Sequence, residues 1–256
     1  MAHAAAALGW LRAWGRAGRF AGFALAAALS PATYTAATRD VVQRQIYFTA
    51  WQVFSGFTLF GAVFSLVVIQ ITLTAAREFG LAQYALELVF RTLMVELIPL
   101  LTALFVALRS GAAISSEIAL MRVGGDFEAM KAQGVDPLAR ELVPRVVAAA
   151  LSVVALTVAS CLVAFVIAYL VRYGFSPWGF PEYTRAVAVV FAPAIVAGFT
   201  LKCLLFGVAV AVIPIAAGLD ATQQVKSVPV AVLGGMVRLF FALGLIEVLS
   251  LTVKYV

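Results

Sequence analysis

The chain has 256 residues, 64% of them hydrophobic and 12% charged, with mean hydropathy +1.06 and formal net charge +6. Soluble domains carry about 25% charged residues, so this composition excludes an ordinary water-soluble globule and points to a membrane protein. Cys161 and Cys203 stand alone in apolar stretches and the single histidine is His3, which removes metal-hydrolase and histidine-dependent chemistry; no metal site is expected.

Along the first 29 residues, Arg12, Arg16 and Arg19 fall on one helical face with Trp10 and Trp14 roughly opposite. A basic stripe facing an aromatic stripe predicts a helix lying in the headgroup plane, with an uncleaved signal-like leader as the alternative. Crossing a bilayer takes roughly 20 apolar residues. Five segments meet that requirement: residues 51–74, 84–108, 146–170, 194–217 and 232–253. What remains is too short for a soluble catalytic domain, so residues 1–256 are read as one all-α integral membrane domain.

Basic residues set the orientation. Arg12, Arg16, Arg19, Arg39 and Arg44 precede the first segment, and Arg109, Arg122, Lys131, Arg140 and Arg145 lie between the second and third. The loop after the first segment holds only Arg77. With an odd number of spans, the N-terminus and residues 109–145 are expected in the cytoplasm and the C-terminus outside. The basic residues border apolar runs, a pattern for lipid surfaces and not for nucleic acid.

Within residues 109–145, Ile118, Met121, Phe127 and Met130 give short apolar faces broken at Gly124-Gly125 and stopped by Gly134 and Pro137. Two short cytoplasmic helices are predicted, exposing carboxylates and methionines to a partner; a plain solvated loop is the alternative. The tetrapeptide Gly124-Gly125-Asp126-Phe127 matches a nucleotide-cyclase turn only by coincidence, because membrane segments flank it and no G-x-x-x-x-G-K-[ST] loop occurs.

Charges inside the second segment are candidates for function, since each costs roughly 2.5–3.5 kcal/mol on insertion scales. Glu96 is placed near the middle, on a face that continues through Pro99, Leu100, Ala103, Ala107 and Ser110. Pro99 lacks the N–H that the Val95 carbonyl would accept, which predicts a kink or local opening. Glu87 and Arg91 are spaced for an i,i+4 pair, with snorkelling to the interface as the alternative. Lys202, Arg238 and Glu247 are read as snorkelling or pairing structurally.

Residues 96–148 carry, in order, Glu96-x-x-Pro99, Arg109-x-Gly-Ala-Ala, Glu117-Ile-x-Leu-Met121-Arg122 and Gly134-Val-Asp136-Pro137. Together with WGRAG at 14–18, RQIY at 44–47, Lys202 and GLDA at 218–221, this resembles the MlaE/YrbE permeases, membrane subunits of ABC transporters that work with MCE proteins. The resemblance implies a homodimer in the bacterial inner membrane with a periplasmic C-terminus. It implies an ABC ATPase holding ATP and Mg, an MCE-domain partner and, in some systems, a small STAS-type subunit. This chain itself would bind no cofactor and hydrolyse nothing.

The family's E-E-x-D-A docking pattern reads Gly125-Asp126-Phe127-Glu128-Ala129 here, with glycine at its first position. ATPase coupling is therefore expected of Glu117, Met121, Arg122, Asp126, Glu128, Met130 and Asp136. A central lipid cavity at the dimer axis is expected to use Glu96, Arg91, Pro99, Leu93, Leu97 and Leu100, moving phospholipid between the inner membrane and the MCE protein. The family's arginine before this glutamate is Val95 here. A proton-coupled secondary transporter and a non-transporting scaffold subunit are the functional alternatives.

Overall fold

The structure, a computed structural model, describes residues 2–30, 36–222 and 224–255. All elements among the described residues are helical. Five helical runs are long and apolar enough to cross a membrane: Thr38–Glu78, Ala82–Gly124, Leu138–Tyr173, Pro193–Leu219 and Val225–Lys254. We call them spans one to five. At a rise of ~1.5 Å per residue, even the shortest exceeds a hydrocarbon core of ~30 Å.

The third span shows why the bundle closes. Ala149, Ser152, Val153, Leu156, Thr157, Ser160, Ala164 and Ala168 are buried at helical spacing, while Leu151, Val158, Leu162 and Val166 face outward. The inner seam is made of small residues, which let backbones approach where lipid gives no hydrophobic drive. Two of its hydroxyls are satisfied within the helix, Ser152 Oγ donating to the Ala148 carbonyl at 2.7 Å and Thr157 Oγ1 to Val153 at 2.8 Å, while the buried Ser160 Oγ has no hydrogen-bond partner among the described residues. The fourth span packs against the second, third and fifth.

The N-terminal helix, Ala2–Ala28, lies against the third and fourth spans. Ala13, Ala17 and Ala24 form its buried face. Trp10 and Trp14 meet Phe241 of span five edge-on, with centroids 5.7 and 6.2 Å away. Arg16 leaves the exposed face to form a bidentate pair with Asp220 just after span four, at 2.7 and 3.0 Å, and Arg238 approaches the same carboxylate at 3.6 Å. The side chain of His3 lies outside the described residues.

Between spans three and four, Phe180–Val190 forms a helix whose Tyr183 hydroxyl donates to the Phe165 carbonyl at 2.7 Å. Phe90, Phe165 and Phe191 pack around it, closing that end of spans two and three.

The second span differs from the sequence expectation. It continues past Leu108, through a π-helical turn at Ala107–Gly111, to Gly124. Ile114, Ser115, Ile118 and Ala119 stay buried against the end of span four and the start of span five, so the helix has no reason to stop. The first of the two expected cytoplasmic helices is thus the end of span two. The second is separate: Gly125 at φ 80° ends the long helix and Asp126–Ala132 forms a short one.

Gly207 marks a close crossing of spans three and four, where an added Cβ would lie 2.9 Å from the Ala150 Cα and carbonyl oxygen. Backbone cannot move aside as a side-chain tip can. Gly207→Val is expected to lower stability by about 1–3 kcal/mol, the usual cost of overpacking. Thermal unfolding in detergent measures it, with Gly56→Ala, whose Cβ meets nothing within 4 Å, unchanged.

Candidate functional site

The site begins with Pro99. Residues Phe90–Leu97 form a π-helical stretch, and the Ile98 N–H donates to the Leu93 carbonyl, five residues back. In that register the Met94 carbonyl faces Pro99, which has no N–H, and Val95 loses its ordinary α-helical donor for the same reason. Neighbouring spans supply replacements. Cys161 Sγ lies 3.7 Å from the Met94 oxygen, and Lys202 Nζ lies 3.4 Å from the Val95 oxygen. The local opening near Glu96 is present, and it is where the fourth span's lysine enters.

Lys202 also pairs with Glu96 Oε2, and its Nζ is 2.8 Å from Glu247 Oε2 of span five. Lys254, on the last turn of that span, reaches Glu96 Oε1 at 2.6 Å. Among the described residues, two lysines and two glutamates thus meet in one cluster. The Lys202 side chain is only 2% exposed. A buried charge with one partner removed is strongly destabilising, so shared pairing is what allows these groups to be here at all.

Above the cluster lies a groove of about 530 Å³ between spans four and five. Ile195, Gly198, Phe199, Leu205, Leu249 and Val253 form its apolar wall, and Glu96, Lys202 and Lys254 its polar floor. That combination, apolar walls with a few convergent polar groups, is the usual form of a small-molecule site. The groove sits level with the start of span four and the end of span five. Glu96 therefore lies nearer that end of the bundle.

The other sequence candidates for a lipid cavity lie elsewhere. Leu93 is fully buried among Phe90, Met94 and the third span, and Pro99 is buried in its own helix. Leu97 and Leu100 pack against core clusters, and none of these four lines the groove. The π-helical register turns Glu96 toward spans four and five, so those spans supply the wall. Arg91 is half-buried away from the cluster, and no ion pair joins it to Glu87 among the described residues.

The coupling candidates separate into fixed and free side chains. Glu117 and Glu141 both hold Arg145, whose side chain is 7% exposed, with Glu117 at 2.7 Å. Asp136 Oδ1 accepts the Leu138 N–H at 3.0 Å and so caps the start of span three. Met121 packs on the core that buries Phe127, and Met130 is half-buried. Asp126, Glu128 and Arg122 remain exposed, with Arg122 and Glu128 3.9 Å apart. Phe127 anchors the short helix, leaving its carboxylates outward.

Arg109 makes a further joint. It donates to the Phe48 carbonyl at 2.9 Å and to Gln52 at 3.2 Å, tying span two to the start of span one beside a polar crevice of about 420 Å³.

These features match a known family: Permease MlaE aligns with residues 42–253. The chain belongs to the MlaE permease family. Among its relatives, a probable ABC transporter permease protein of Rickettsia prowazekii is 27% identical over 70% of this chain and 62% of its own length. A probable ABC transporter permease protein of Synechocystis is 31% identical, over 61% of each chain. The intermembrane phospholipid transport system permease protein MlaE of Haemophilus influenzae is 38% identical over 28% of each. The chain thus spans about three-fifths of the first of these relatives. Membership of this permease family agrees with the five helices long and apolar enough to cross a membrane.

Sequence reasoning noted Lys202 and Glu247 without joining them to Glu96, and passed over Lys254. One signal was available: Glu247 and Lys254 are seven residues apart and share a helical face.

Lys202→Met would leave Glu96 and Glu247 without their common cation. The expected loss is about 3–5 kcal/mol, as for other broken buried pairs. Adding Glu247→Gln removes one uncompensated charge and should recover part of it. Unfolding midpoints of the two variants in detergent check this; equal losses would contradict a shared cation.

Proposed function

We propose that this MlaE permease is the membrane subunit of an ATP-driven lipid transporter, with the groove over the Glu96 cluster as part of the lipid's path. The observation that carries the reading is the groove itself, an apolar channel wall above paired charges. Acyl chains suit the wall, and a phosphorylated headgroup suits the floor. The Haemophilus relative's name supports phospholipid as the substrate.

In this reading two copies of the chain form the working unit. An ABC ATPase, carrying ATP and Mg, docks on the exposed face of Asp126–Ala132, and an MCE-domain protein receives or delivers lipid outside the inner membrane. A small STAS-type subunit fits beside the ATPase. The basic residues near Gly125 support a cytoplasmic position for this helix and a periplasmic one for the end of span five. Work done on the short helix passes through buried Phe127 into the core shared by spans two, three and four.

Lipid transfer from labelled vesicles, measured with the reconstituted complex, tests both ends of the reading. Gly198→Trp fills open groove space, since a Cβ there meets nothing within 4 Å. It should abolish transfer while the ATPase still assembles. Asp126→Lys with Glu128→Lys should instead weaken ATPase assembly. Normal transfer in the first variant would refute the groove, and normal assembly in the second would refute the docking face.

A further inference from the structure

The crevice at Arg109 lies between two helix irregularities. Span one passes through a π-helical turn at Tyr47–Trp51, where the Gln52 N–H donates to the Tyr47 carbonyl, and span two through another at Ala107–Gly111. Single π-helical turns inside long helices are frequent at functional sites. Here Gln45, Thr49 and Gln52 of one span face Arg109, Ser110 and Glu117 of the other around a space of about 420 Å³.

The joint between the spans leaves polar groups unused. Thr49 is 2% exposed, and its Oγ1 has no hydrogen-bond partner among the described residues. Thr102 and Thr157, also buried, donate to the carbonyl one turn back at 2.8 Å. A buried hydroxyl without a partner is costly, and threonine populates two χ1 rotamers in a helix, so this one can turn toward a guest. Ser110, 7% exposed, lines the same space. Arg109 uses one N–H on the Phe48 carbonyl at 2.9 Å and one on Gln52 at 3.2 Å, which leaves further guanidinium donors for an anion. Glu117 also faces the crevice, with one oxygen held by Arg145 at 2.7 Å.

The level of the crevice selects the kind of anion. Arg39 and Arg44 precede it on span one, and a predominantly apolar run follows from Ile46. Tyr47, Trp51 and Phe54, at i, i+4 and i+7, share the adjoining face and are exposed. Aromatic rings where basic residues give way to an apolar run mark the headgroup level of a bilayer. An anion seated here therefore has apolar surface beside it, along which acyl chains can run.

We propose that the crevice between spans one and two seats the phosphate of a membrane lipid. The Arg109 guanidinium binds the phosphate, the Thr49 hydroxyl donates to one of its oxygens, and the acyl chains lie along Trp51 and Phe54. This site is separate from the groove between spans four and five and does not rest on that groove's carrying lipid.

The full-length protein is made with a photoreactive phenylalanine analogue at Phe48, on the crevice, or at Leu162, on the outward face of span three. It is reconstituted in vesicles of phosphatidylglycerol with a minor share of diacylglycerol, which lacks the phosphate, and crosslinked lipid is identified by mass spectrometry. Position 48 should label phosphatidylglycerol over diacylglycerol several-fold beyond the proportion found at position 162. Millimolar inorganic phosphate should leave that labelling unchanged. Arg109→Gln and Thr49→Val should each lower the excess at position 48 several-fold without altering position 162. Because the Thr49 hydroxyl has no protein partner, Thr49→Val should not lower the unfolding midpoint in lipid-free detergent, which separates a lost ligand contact from a fold defect.

The same lipid proportions at both positions, or an excess that survives both substitutions, would overturn the site. Loss of the crosslinked lipid to inorganic phosphate would reveal a site for the free anion and overturn the lipid. A lowered midpoint in Thr49→Val with unchanged labelling would make that hydroxyl structural and overturn its part in binding. Each of these results leaves the groove reading intact, since none of them measures transfer.

Discussion

Glu96, Lys202, Glu247 and Lys254 each carry a charge that a membrane interior disfavours, and each is made tolerable by the others. The rest of the bundle depends on this constraint. Spans two, four and five must stay close enough for ion pairing. Pro99 makes the arrangement possible. By withholding one N–H it frees the carbonyls of Met94 and Val95, and a thiol and an ammonium from neighbouring spans approach them. A helix defect and a charge cluster, each unfavourable alone, satisfy one another.

A second consequence follows from the uninterrupted helix. Span two runs from the cluster at Glu96 to the Gly125 turn without leaving helical geometry, a reach of about 40 Å at ~1.5 Å per residue. The short helix beyond that turn is anchored by Phe127 in a core that includes Ile114 and Ile118 of the same span and Val146 of span three. One continuous element therefore joins the groove to the face proposed for the ATPase. Arg145, gripped by Glu117 and Glu141, holds spans two and three together at the same end. The geometry suits transmission of displacement along a stiff rod better than relay through loops.

The number of spans was legible in the sequence because length and hydropathy alone decide it, and the breaks at Gly125, Gly134 and Pro137 were legible because turn chemistry is local. The length of span two was not. Arg109 and Glu117 look like loop residues, yet Arg109 is bound to the Phe48 carbonyl and Glu117 to Arg145, contacts that no local pattern reveals. Glu96 was visible as an intramembrane charge. Its partners were not, because they come from residues 202, 247 and 254. Leu93, expected on the cavity wall from the family resemblance, is fully buried in the π-helical stretch of span two, a change of register that no local pattern announces. The motifs WGRAG and GLDA, far apart in sequence, meet as the Arg16–Asp220 pair. The sequence shows each half and only the fold shows the joint.

The central claim is that lipid occupies the groove between spans four and five and does not merely coat the bundle. Photocrosslinking decides it most directly, using a photoreactive residue at Ile195 or Leu249 in the groove and at Leu162 or Val166 on the outward face of span three. Phospholipid crosslinked in the groove should survive extraction and be displaced by Gly198→Trp, while crosslinks at the outward positions are unaffected by that change. Equal labelling at all four positions, insensitive to Gly198→Trp, would mean ordinary surrounding lipid and would contradict the account.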